Sequence, residues 1–115
     1  MSYIEGFILA VPEKNKEAYR QHAANAVGYF KESGVTRMVE TWADDVPEGK
    51  VADFKGAVNK RDDERVVYSW IEWPSKEIRD AAWPKVMADP RFKDHAMPFD
   101  GQRLIYGGFR PILDA

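Results

Sequence analysis

Residues 65–73 read Arg65-Val66-Val67-Tyr68-Ser69-Trp70-Ile71-Glu72-Trp73. β-branched and aromatic side chains fill the centre, and Pro74 follows directly, so the stretch predicts a strand. Successive side chains of a strand point to opposite faces. One parity here carries Val67, Ser69 and Ile71; the other carries Val66, Tyr68, Trp70 and Glu72. Both are apolar at the centre, so neither face of the sheet is expected to meet water.

The run from Tyr3 to Val11 has the same character. Phe7, Leu9 and Val11 stand on one parity and Ile4, Ile8 and Ala10 on the other, and Pro12 ends the run. Between these two strands lies a helical pattern from about Asn15 to Ser33. Tyr19, His22, Ala23, Ala26, Val27 and Phe30 recur at helical spacing, with Asn15 placed as N-cap and Gly34 just past the end. Val35 to Ala43 predicts a second strand, followed by the turn chemistry of Asp44 to Gly49. Residues 52–59 read either as one helical turn or as a short extended piece.

Downstream of the quoted strand, Ser75 can cap a helix whose buried stripe is Ile78, Ala81, Ala82 and Val86. Pro84 lies deep in that helix, removes a backbone donor from Asp80, and predicts a kink or interruption. Asp89-Pro90 predicts a cap and first-turn proline of a short helix. Met97 to Gly101 is a turn, and Arg103 to Ile112 a last strand. The order β-α-β-β-α-β predicts one ferredoxin-like α+β domain over residues 1–115, with a four-stranded antiparallel sheet and two helices on one face. Two helices cover one face only. The apolar second face predicts a homodimer in which two sheets pack about a two-fold axis.

Composition narrows the function classes. The 115 residues contain no cysteine, which excludes disulfides and cysteine-ligated zinc or iron–sulfur clusters. No basic and apolar leader is visible at the N-terminus, and no apolar run reaches the ~20 residues of a spanning helix. A cytoplasmic protein without a membrane partner is expected. The net charge is −2, with 17 basic residues scattered among 19 acidic ones, so no nucleic-acid partner is expected either. The two histidines, His22 and His95, lack metal-ligand spacing, so no metal is expected.

Four stretches carry a family likeness: Glu40 to Lys50 (ETWADDVPEGK), Ser69 to Lys76 (SWIEWPSK), Asp89 to Lys93 (DPRFK) and Met97 to Phe109 (MPFDGQRLIYGGF). Together they resemble the YbaA-like family of small bacterial proteins, domain-of-unknown-function family 1428, in the dimeric α/β-barrel superfamily. The resemblance implies the dimer. It implies no reaction, because the family has no established one. Trp83-Pro84 departs from the polar helix formers expected at that point.

The candidate site residues each carry two readings. His22 is either a proton shuttle facing a cavity or a core histidine held by a neighbour. Trp42, Tyr68 and Trp70 either line a pocket for a planar ligand or fill a dimer core. Glu40 and Glu72 share parity with Trp42 and Trp70. They are acid–base groups if buried and ordinary ion-pair partners if at strand ends, and Glu5 is read in the same way. His95, Met97 and Phe99 form either a lid over the pocket or a hydrophobic anchor for the last strand. Gly107-Gly108 predicts a bulge or the close approach of another group. The expected function is a pocket for a planar organic metabolite, in an enzyme that needs no cofactor. The alternative is a non-catalytic dimeric module that binds a small molecule or another protein.

Overall fold

The computed structural model describes residues 2–93 and 96–115. The strands are β1 (Tyr3–Pro12), β2 (Arg37–Glu40), β3 (Glu64–Trp73) and β4 (Ile105–Phe109). The helices are α1 (Lys16–Glu32), α2 (Phe54–Ala57), α3 (Lys76–Ala88) and α4 (Pro90–Lys93). The sheet order is β2-β3-β1-β4, and every neighbouring pair is antiparallel. This is the ferredoxin-like arrangement, with the two long central strands paired along their whole length.

The register sorts the two faces of the sheet. Glu5, Phe7 and Leu9 of β1 stand opposite Ile71, Ser69 and Val67 of β3. Met38 and Glu40 of β2 extend these rows on one side, and Gly108 and Tyr106 of β4 on the other. This face lies under α1 and α3. The opposite face carries Ile4, Gly6 and Ile8 against Glu72, Trp70 and Tyr68, with Phe109, Gly107 and Ile105 beyond them.

Core packing follows that division. Trp73, Ile71 and Tyr3 meet Ala26, Tyr29 and Phe30 of α1 together with Ala82 and Val86 of α3. Leu9, Val11 and Val67 meet Tyr19 near the start of α1. On the opposite face Val58, just after α2, is buried with Ala10 and Val66. The segment 52–59 is thus a helical turn that covers one end of that face.

Several elements differ from expectation. β2 spans only Arg37–Glu40, although Thr36, Thr41 and Ala43 still donate backbone bonds to Glu72, Tyr68 and Val66 of β3. The alignment continues past the strand while regular geometry does not. The last strand is Ile105–Phe109, because Gly101–Arg103 forms a 3₁₀ turn capped by Asp100. Asn15 does precede α1, but its side chain gives no cap; it donates to the Pro98 carbonyl instead. α3 runs without interruption through Pro84. Asp80 still loses its backbone donor there, and the inward packing of Ala82, Trp83 and Val86 holds the helix together. Val27, Ile78 and Ala81 face outward, while Tyr29 and Trp83 take the inner positions.

Two glycines have structural reasons. Gly34 has φ +116°, the left-handed conformation that ends a helix. At Gly108 a Cβ would collide with the Tyr3 hydroxyl and the Arg79 guanidinium, so the close-approaching group is the side-chain layer beneath α3.

Candidate functional site

A cavity of about 660 Å³ lies between the sheet and the two long helices. Its floor is the row Glu40, Ser69, Phe7 and Tyr106, one residue from each strand. Alternation alone delivers these four side chains to the same face. The walls include Ala23, Ala26 and Phe30 of α1 and Trp83, Pro84 and Met87 of α3. Phe92, Met97 and Phe99 complete the lining.

Two carboxylates reach the cavity from the sheet, and they differ. Glu5 is 1% exposed. Its Oε1 accepts the indole N–H of Trp73 at 2.9 Å and that of Trp83 at 2.6 Å. The Arg79 guanidinium stands 3.9 Å from its Oε2 and donates to the Tyr3 hydroxyl at 2.9 Å. A polar group buried this deeply is tolerable only with such partners.

Glu40 lines the cavity and is exposed at the end of β2. The Tyr19 phenol donates to Glu40 Oε1 at 2.6 Å. Desolvation pushes the Glu40 carboxyl above its ordinary range, while hydrogen bonds from Tyr19 and Ser69 hold the rise in check. Burial first, and then the Glu40 charge, drive the Tyr19 phenol far upward, so Tyr19 keeps its proton. The cluster is a carboxylate held by two neutral donors at the edge of an apolar chamber. Such a group can accept a proton or bind a donor.

The sequence-derived candidates separate onto the two faces. Glu40, His22, Met97 and Phe99 line the cavity. The His22 ring lies 6.4 Å from that of Tyr19 and 6.1 Å from that of Phe99. Phe99 also packs on the Leu9–Val11–Tyr19 cluster. Trp42 packs on the outer side of that cluster, with Lys16 Nζ 5.4 Å from its ring centroid, and does not line the cavity. Tyr68, Trp70 and Glu72 lie on the opposite face, where the Trp70 indole donates to Glu72 at 3.0 Å and Arg37 stands 3.7 Å from Glu72. They are not deep pocket residues. His95 lies outside the described residues.

Tyr19, Ser69, Trp83, Arg79 and Tyr106 also belong to the cavity and were not singled out from sequence. Only Tyr19 had a usable signal, as the member of the α1 stripe one helical turn before His22.

The fold and the cavity together define a ferredoxin-like α+β protein with an aromatic chamber under its helices. The family described as "Protein of unknown function (DUF1428)" matches residues 2–101, and the chain belongs to that family. "Uncharacterized protein YbaA" of Escherichia coli strain K12 is 58% identical over 116 aligned positions, covering 99% of both chains. The protein of the same name from Shigella flexneri shows the same identity and coverage. Among solved structures, Rv0793 from Mycobacterium tuberculosis is similar with a TM-score of 0.50 at 12% identity, covering 100% of this chain and 99% of its own. That likeness concerns the fold. No helix among the described residues is long and apolar enough to cross a membrane.

Proposed function

We propose that this protein is a homodimer that binds a planar organic metabolite in the chamber beneath α1 and α3, with Glu40 as its polar anchor. The carrying observation is the 660 Å³ cavity whose floor sets one hydrogen-bonded carboxylate beside the rings of Phe7 and Tyr106. An apolar cavity with a few convergent polar groups is the usual form of a small-molecule site. In the catalytic form of this reading, Glu40 takes a proton from the bound molecule and no cofactor is needed. Its raised pKa favours that role.

The dimer rests on the opposite face. Tyr68, Ile105 and Phe109 are 48%, 43% and 61% exposed there, too much apolar surface for a sheet facing water. The rings of Phe54, Tyr68 and Trp70 follow one another at 6.1 and 6.0 Å. A second copy stacked on this face would cover them. The expected contact buries at least ~1,200 Å² in total.

A thermal-shift screen against metabolites tests the cavity, since a ligand of the native state must raise the melting temperature. Hits in the wild type that weaken in Glu40→Gln support it, and hits indifferent to Glu40 and to Phe7→Ala overturn it. Sedimentation tests the dimer. A monomer at micromolar concentration overturns that part, as does a Tyr68→Glu/Phe109→Glu variant that remains dimeric.

A further inference from the structure

We propose that the chamber selects an aromatic ligand bearing a protonated amine, whose ammonium meets Glu40 while its ring lies over Phe7 and Tyr106. This rests on the cavity reading above and adds the charge of the ligand. Among the described residues, the ionisable groups facing the chamber include the carboxylates of Glu5, Glu40 and Asp80, the imidazole of His22, and one guanidinium, Arg79. Arg79 already faces two carboxylates, although its buried Nε makes no hydrogen bond. It donates to Tyr3, lies 3.9 Å from Glu5, and sits 3.2 Å from Asp80. Asp80 also takes the Lys76 ammonium at 2.8 Å. Glu5 has its two indole donors besides. Among the described residues, the one guanidinium facing the chamber is thus outweighed by the carboxylates of Glu5 and Asp80 beside it.

Glu40 differs from the other two. Its hydrogen bonds come from Tyr19 and Ser69, both neutral, and no Lys or Arg of the described residues pairs with it. A carboxylate at the edge of a low-dielectric chamber favours a cation over an anion. The surroundings favour it further. Tyr19, Phe7 and Tyr106 offer ring faces or edges along the same floor, and ring faces attract cations as well as planar bodies. Glu40 and Phe7 are two strands apart, roughly 10 Å between backbones, which suits a ring joined to an amine by a short arm.

The test uses three probes with one indole ring and a two-carbon arm: tryptamine, tryptophol and indole-3-propionate, which are cationic, neutral and anionic at neutral pH. Calorimetry on the full-length wild type should find tryptamine bound at least about tenfold tighter than indole-3-propionate, with tryptophol between. The isosteric Glu40→Gln, checked for an unchanged circular dichroism spectrum, should lose most of that difference. Equal or tighter binding of the anion overturns the charge preference and leaves the cavity reading standing. So does a preference that persists in Glu40→Gln. Absence of binding by all three, together with a metabolite screen that yields no hit, overturns both.

Discussion

Trp83 of α3 donates its indole N–H to Glu5 of β1 at 2.6 Å, so a helix and the central sheet share a carboxylate that is 1% exposed. Trp83→Phe keeps an aromatic ring but removes the indole donor and the volume of the five-membered ring. The expected loss is at least about 1–3 kcal/mol, from under-satisfying a buried polar group and from the lost packing of the indole. Urea unfolding measures it. In the double variant with Glu5→Gln, the two losses should fall short of their sum, because both break one network. Full additivity would show the contact to be idle.

A second buried pair sets the acid limb of stability. Glu64 is 4% exposed and takes two bonds from Arg103, which holds its carboxyl down at about 2, below the ordinary 4.5. A depressed carboxylate contributes stability above its unfolded value and loses it as pH falls through its folded value. Its share should therefore vanish between pH 4.5 and about 2. Glu40 has the opposite sign. Raised by burial, it contributes most at low pH and loses that share as pH rises through its folded value. Melting temperatures across pH 2–7 should show a flatter acid limb in Glu64→Gln. An unchanged limb would remove Glu64 from the account.

Pro84 sits inside α3 yet the helix continues. Pro84→Ala restores the donor missing at the Asp80 carbonyl and should stabilise the protein by about 1–3 kcal/mol. The ring also lines the chamber, so the same variant should alter probe binding. A destabilised Pro84→Ala would mean that the packing of the ring outweighs the lost bond.

Gly108 faces Tyr3 and Arg79 with no room for a Cβ. Gly108→Ala should destabilise by about 1–3 kcal/mol through overpacking. Gly101, around which nothing lies within 4 Å of such a Cβ, is the control and should tolerate alanine. Equal melting temperatures for the two variants would contradict the close approach.

The strands β1 and β3 and the helix α1 were legible in the sequence because pattern and punctuation agree there. The chamber was legible only in part: His22, Glu40, Met97 and Phe99 line it, while Trp42, Tyr68 and Trp70 do not. Parity correctly grouped Glu40 with Trp42 and Glu72 with Trp70, but both parities of β3 are apolar, so alternation could not say which one the helices cover. That assignment comes from register: Glu40 stands opposite Ser69 and Arg37 opposite Glu72, a pairing between segments about 30 residues apart. Tyr68 and Trp70 therefore fell on the far side from Glu40. Trp83 read as a departure from a polar helix because its partner, Glu5, is 78 residues away. No local pattern announces such a contact.

The two outermost strands, β2 and β4, carry a consequence for solubility. An open edge offers unpaired amides and carbonyls to any passing chain and is a common start of aggregation. Here β2 has four residues and begins and ends with charges, Arg37 and Glu40. β4 has five, two of them glycine, and Arg110-Pro111 follows directly, so the amide needed to prolong a ladder is missing just beyond the strand. Both margins thus offer only a short stretch of regular strand to a foreign chain. The sheet resists growing sideways into fibrils, and its open broad side is left as the surface through which it can associate.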